Sequence, residues 1–195
     1  MAYIGNKPTA VPLTSSDITN GIITTAKIAD DAISAAKLAA GVGGKVLQVI
    51  STNKTAVESI NSSATAFTNI SGLSATITPS STSSKIFIMA SVVISFNNNQ
   101  YGSLGGIRIQ RGTTGLNAGG ESYSSTTVVG QNESANNGRA TLPIQFLDSP
   151  STTNATTYNI GVKNAIGGTV TCVINGNKSA SNTGSSTITI MEIVG

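Results

Sequence analysis

The sequence contains no histidine. Ser-His-Asp and Cys-His pairs, which need an imidazole base, therefore cannot form. Metal sites built on histidine or clustered cysteine are excluded on the same ground. The one cysteine, Cys172, lies in "TVTCVING" at a strand-like position and reads as a buried structural thiol. Alone, it can form no internal disulfide. The stretch "GVGGKV" from residue 41 lacks the spacing and the following Ser or Thr of a phosphate-binding loop. Carboxylate chemistry remains. Glycan hydrolysis needs two converging acids, and the candidates are Glu58, Glu121, Glu133, Asp148 and Glu192. Exposed acids that keep the surface soluble are the simpler reading of all five. No enzyme activity, cofactor or metal is expected.

The composition sets the frame that would position such groups. Charged residues make up 10% of the 195 positions, against about a quarter in an ordinary globular protein. Ser, Thr, Asn and Gly fill the space. The 38% hydrophobic content arrives in short β-branched runs, which argues for a packed core rather than disorder. The net charge is +3, but the basic residues are scattered from Lys7 to Lys178. A nucleic-acid binder would cluster them, so no nucleic-acid partner is expected. The opening "MAYIGNKPTAVP" has no basic-then-apolar leader pattern. The longest apolar run, "IFIMASVVISF" at 86–96, is too short to span a bilayer. Assembly in a cytoplasm without membrane insertion is the expectation.

The N-terminal region carries a fivefold step. Large aliphatics stand at Leu13, Ile18, Ile23, Ile28, Ile33 and Leu38. Five residues advance an α-helix by about 500°, so these side chains would spiral around it rather than form one stripe. In a strand an odd step alternates faces. A decad lies over the pentad: "ITNGIITTAK" (18–27) aligns with "IADDAISAAK" (28–37). A single-chain solenoid needs more coils than this segment supplies. Several identical chains wrapped together resolve the burial problem, each giving one aliphatic per pentad to a shared axis. A helix from Thr25 to Ala40 is the other reading, since alanine-rich sequence favours it and three helices could also bundle.

"GVGG" at 41–44 reads as a hinge, and the texture after it is β. The spacing predicts strands at 45–51, 65–71, 73–79, 85–96, 106–112, 126–131, 140–148, 156–164, 168–176 and 186–194. Alternation is clear in Ile107/Ile109, Leu142/Ile144/Phe146, Tyr158/Ile160/Val162 and Val170/Cys172/Ile174. Strand 85–96 is apolar on both faces and should be central or covered. Many short strands between polar loops predict a β-sandwich, with a jelly roll as the natural arrangement.

The stretch "IITTAKIADDAISAAKLA" resembles a repeat near the N-termini of bacteriophage fibre and collar-type virion proteins. The start "MAYIGNKP" is similar to those of marine phage fibres. "SKIFIMASVVISF", "IRIQRGTTGL", "FLDSPSTTNATTYNIGVKN" and the closing "STITIMEIVG" are similar to trimeric knobs with a TNF-like jelly roll. The resemblance spans nearly all of the chain and implies a homotrimeric virion part. Its expected organisation is an attachment arm at 1–17, a pentad shaft with hinge at 18–43, and a mainly β jelly-roll knob at 44–195. Tyr3, Ile4 and Pro8 of the arm would meet another virion protein. Leu13, Ile18, Ile23, Ile28, Ile33 and Leu38 would form the shaft core. Tyr101, Leu104 and Tyr123, in loop-like stretches 97–106 and 113–125, are candidates for contact with host-surface glycan; a third loop is expected at 131–138. A small secreted or surface lectin-like module with no phage role is the alternative.

Overall fold

The structure is a computed structural model that describes residues 23–24, 28–29, 46–63, 65–97, 103–116, 125–129, 139–165, 168–176 and 184–195. All described strands belong to the unit Lys45–Gly195. In chain order they are β1 (Val46–Lys54), β2 (Glu58–Ser63), β3 (Thr68–Ile77), β4 (Lys85–Asn97), β5 (Ser103–Arg111) and β6 (Thr114–Gly115). Then come β7 (Ser125–Val129), β8 (Ala140–Asp148), β9 (Thr156–Asn164), β10 (Thr169–Ile174) and β11 (Ser186–Ile193).

These strands form two antiparallel sheets, and the register shows that they occupy eight positions. Ile94 of β4 pairs with Ala140 of β8 and also with Ile174 of β10. Ser91 pairs with Pro143 of β8 and also with Thr187 of β11. Since a strand has two edges, β10 and β11 lie in line along the one that β8 leaves free. They are halves of one interrupted strand. Their partners β2 and β1 are in line for the same reason, since β1 pairs with β11 and β2 with β10. Likewise Ile107 pairs with β9 and β7, and Gln110 with β9 and β6, so β6 and β7 share one edge of β5.

Numbering the eight positions along the chain, sheet A runs 1-8-3-6 (β1/β2, β10/β11, β4, β8) and sheet B runs 2-7-4-5 (β3, β9, β5, β6/β7). The pairs 1–8, 2–7, 3–6 and 4–5 are each antiparallel neighbours. That is one long hairpin rolled into two sheets, the jelly-roll arrangement expected from the sequence.

Alternation builds the core between the sheets. Ile86, Ile88, Ala90, Val92 and Ile94 of β4 face Ile107, Ile109, Tyr158, Ile160 and Val162, with Ile188 and Ile190 beside them. Each large aliphatic contributes about 1.5–3 kcal/mol by leaving water. Cys172 is fully buried among them. Burial pushes its thiol pKa up, and the charge of Glu58 adds to the rise.

Several boundaries differ from expectation. The segments at 65–71 and 73–79 are one strand, β3. Gly72, at φ +68°, forms an irregularity inside it, and the register shifts between Asn69 and Ser74. The short strands β2 and β6 were not anticipated. Gly105, read as loop, and Gly106, where the expected loop and strand overlap, lie inside β5 and pair on both sides. One end of sheet A gathers the start of β1, the end of β11, the start of β4 and the end of β8: Val46 faces Ile193, Ile193 faces Lys85, and Ile86 faces Asp148.

Candidate functional site

The described acids do not stand exposed as the sequence suggested. Asp148, at the end of β8, is buried. Its Oδ2 accepts from Tyr158 Oη at 2.7 Å and from Arg111 Nη1 at 2.9 Å. Asp148 belongs to sheet A and its two donors to sheet B, so the trio latches the sandwich at one end. Burial first, and the neighbouring Asp148 second, push the Tyr158 phenol well above its usual range.

Glu192 on β11 is also buried. Its Oε1 accepts from the Ser80 backbone N–H at 2.7 Å and from Ser80 Oγ at 2.6 Å, while its Oε2 accepts from Gln48 Nε2 at 2.5 Å. Burial alone would raise its pKa; the hydrogen bonds from Ser80, Gln48 and Ser84 outweigh it and hold the carboxyl down at about 2. Glu58 pairs with Lys54 Nζ at 3.1 Å, across the gap between β1 and β2, and accepts from the Ser71 N–H. Each carboxylate thus holds a different joint of the fold. Charge alone suggests exposure, and several of the partners are remote in sequence: Arg111 for Asp148, and Ser80 and Gln48 for Glu192. Glu121 and Glu133 lie outside the described residues.

Of the expected shaft residues, Ile23 and Ile28 are described. They are 52% and 38% exposed in the single chain. Leu13, Ile18, Ile33 and Leu38 lie outside the described residues, as do Tyr3, Ile4, Pro8, Tyr101 and Tyr123. So does the loop expected at 131–138. Leu104 is not a loop residue: it stands in β5 opposite Val128 of β7. Its Gly105-Gly106 neighbours mimic a turn signal, but in the fold they are strand interior.

Two surfaces escaped the sequence reading. The first is on the outer face of sheet B, where the Arg108 guanidinium lies 3.9 Å from the centre of the Phe67 ring and Lys163 Nζ lies 4.9 Å from it. Both cations are buried. Gly115 makes room for the guanidinium, since a Cβ there would fall 2.6 Å from Arg108 Cζ. The cation–π contact satisfies charge that an apolar neighbour could not.

The second is the outer face of sheet A. Val49, Met191, Phe87 and Leu147 stand opposite one another in a single row across four strands. Val49 is 55% exposed, Leu147 45%, and Met89, one row along, 36%. Val46 and Leu47 extend this apolar surface toward the start of β1. A depression of about 630 Å³ adjoins it, lined by Met89, Ser91, Pro143, Gln145, Thr187 and Thr189 among others. Toward the other end, the outward residues Ser95 and Val173 are buried. The double-sided apolarity of strand 85–96 was the signal for this surface. The strand is central as expected, and its outer face is open at Met89.

Fold and surfaces together define an eight-position jelly-roll sandwich with an apolar face on one sheet. No family model and no curated protein matches the sequence. Among solved structures, the chain is similar to that of infectious bursal disease virus Gt strain, at 15% identity and a TM-score of 0.35, over 76% of this chain and 38% of that one. The Gx strain structure of the same virus gives 15% and 0.32, over 76% and 43%. The crystal structure of its VP2 subviral particle gives 14% and 0.32, over 76% and 38%. This chain therefore spans about two fifths of the chains it matches. At such TM-scores the likeness carries no weight, and the jelly roll rests on the strand order itself. Among the described residues, no helix is long and apolar enough to cross a membrane.

Proposed function

We propose that the protein is a structural virion component of a bacteriophage: a homotrimeric fibre, spike or head-decoration part without enzymatic activity. The observation that carries this reading is the exposure of Ile23 and Ile28 in the single chain. They belong to a regular pentad of aliphatics in the sequence; one chain leaves these two wet, and several chains would bury them. Jelly rolls recur in viral capsid and lectin domains, which agrees with the reading without deciding it. The resemblance of the pentad segment and of the opening residues to phage fibre proteins supports the phage assignment.

In this reading residues 1–17, with Tyr3, Ile4 and Pro8, attach the protein to another virion component. Tyr101 and Tyr123 supply rings able to cover the apolar face of a host-surface sugar. The weak contact of each would be multiplied by three copies. Light scattering on the full chain tests the assembly: a trimer is expected, and a monomer at micromolar concentration overturns it. Deleting residues 1–12, which spares Leu13, tests the attachment: the trimer should persist and incorporation into particles should be lost.

A further inference from the structure

We propose that the open half of the outer face of sheet A, centred on the row Val49–Met191–Phe87–Leu147, is the surface through which the jelly rolls of neighbouring copies of this chain pack together. The proposal rests on the homotrimer reading above and deepens it by naming the contact surface. Three features of the face point to a second copy as occupant.

The first is its chemistry. Beside the apolar row run Ser51–Thr189–Met89–Gln145 and Asn53–Thr187–Ser91–Pro143. No outward position in the three rows carries a charge. Copies of a chain with net charge +3 can therefore meet along these rows without stripping water from an ion, provided that Lys85, exposed in the next row opposite Ile193, stays at the rim.

The second is area. The exposed parts of Val46, Leu47, Val49, Met89 and Leu147, with the half-buried Phe87 and Met191, amount to roughly 450 Å², in the upper half of what a lone soluble protein leaves in one patch. A standard interface takes about 800 Å² from each partner, so polar rows beside the patch would complete it.

The third is where the chain enters. Val46 opens β1 within the patch, opposite Ile193. The last aliphatic of the pentad is Leu38, eight residues earlier, and eight residues reach at most about 28 Å. Copies joined along the pentad would hold Val46 of each, the edge of its patch, within that reach of its Leu38. A local concentration that high makes even a modest apolar contact effective.

The test uses the full chain as wild type, Leu147→Glu and Val49→Glu. Two measurements are made across a dilution series: mass by light scattering, and oxidation of Met89 and Met191 by dilute peroxide, followed by mass spectrometry. In the wild type, Met89 should be protected at high concentration and lose its protection as the trimer dissociates. Either glutamate variant should raise the dissociation constant at least about tenfold, because a carboxylate would be buried between copies. Both positions are exposed in the single chain, so an unchanged circular dichroism spectrum is expected. A wild-type trimer with freely oxidised Met89 and a mass indifferent to both substitutions overturns this surface and leaves the homotrimer standing. A wild-type monomer at every concentration overturns both. Protection of Met89 in a monomer, unchanged by dilution, shows that another part of the same chain occupies the face and also overturns the proposal.

Discussion

Ser186 Oγ donates to Asn175 Oδ1 at 2.6 Å, across the interruption that divides β10 from β11. The interruption is bridged by side chains where the ladder cannot continue. Asn175 adopts a left-handed backbone, φ 59°, which asparagine tolerates better than most residues. Its N–H donates to the Val93 carbonyl at 2.9 Å. Its Nδ2 donates to the Lys54 carbonyl at 2.7 Å and to that of Ala56 at 3.2 Å. Ser186 Oγ in turn accepts from the Val93 N–H at 3.0 Å. Both residues are fully buried. Two side chains thereby join β4, the gap between β1 and β2, and the gap between β10 and β11.

Asn175→Ala removes the amide, leaves the buried Ser186 hydroxyl and the Lys54 and Ala56 carbonyls without it, and puts a residue of lower tolerance at positive φ. The expected loss is about 2–4 kcal/mol. Asn175→Gly relieves the backbone but not the hydrogen bonds, so it should fall between the wild type and the alanine variant. Urea unfolding at one fixed protein concentration measures both, since association shifts the midpoint. Equal stability of all three proteins would show that the bridge does not hold the interruption.

The Tyr158–Asp148–Arg111 latch has a pH signature at the alkaline end. The folded state holds the Tyr158 phenol neutral, with its pKa above the ordinary value of about 10. The unfolded chain releases that proton first as pH rises. The folded state then binds more protons than the unfolded one, and stability falls with increasing pH. The contribution is complete below about pH 10 and is lost above it. Absorbance titration should find a tyrosine that ionises only with unfolding. Tyr158→Phe should remove that phase and cost about 1–2 kcal/mol at neutral pH, through the lost charge-assisted hydrogen bond.

Much of the framework was legible because its signal is local. In β9, Tyr158, Ile160 and Val162 alternate, and the strand falls at 156–164 as expected. In β2, the inward pair is Ile60 and Ser62. A buried serine reads as a loop residue until its Oγ is seen donating to the Val170 carbonyl, 108 residues away. The alignment of β1 with β2 and of β10 with β11 is a property of pairing, so no single stretch carries it. The acids failed for a related reason. Asp148 and Arg111 stand 37 residues apart, and Glu192 and Ser80 stand 112 apart. Only a closed fold brings them together.

Glu192 gives the opposite pH dependence. Its carboxyl is held at about 2 in the folded state, below its usual 4.5. Between those values the unfolded chain takes up the proton and the folded one does not. Stability is therefore full above about pH 4.5 and declines as pH falls toward 2. Glu192→Gln cannot titrate, so its denaturation midpoint should change less between pH 5 and pH 3 than that of the wild type. Parallel acid profiles for the two proteins would show that other carboxylates set the acid limit.

Ile28→Asp addresses the pentad directly. Ile28 is 38% exposed in the single chain, so an aspartate there meets water and should leave the jelly roll unharmed if the chain acts alone. In a threefold assembly on the Ile18–Leu38 axis, three carboxylates would converge where three isoleucines packed. Each would lose hydration, and like charges would repel over a few ångströms. The expected outcome is a dissociation constant raised at least about tenfold, with the melting of the β domain, read by circular dichroism of the dissociated protein, unchanged. Ile28→Leu keeps the aliphatic volume and should retain the assembly. A protein whose mass and dissociation were the same with isoleucine, leucine or aspartate at position 28 would rule out a shared core along the pentad.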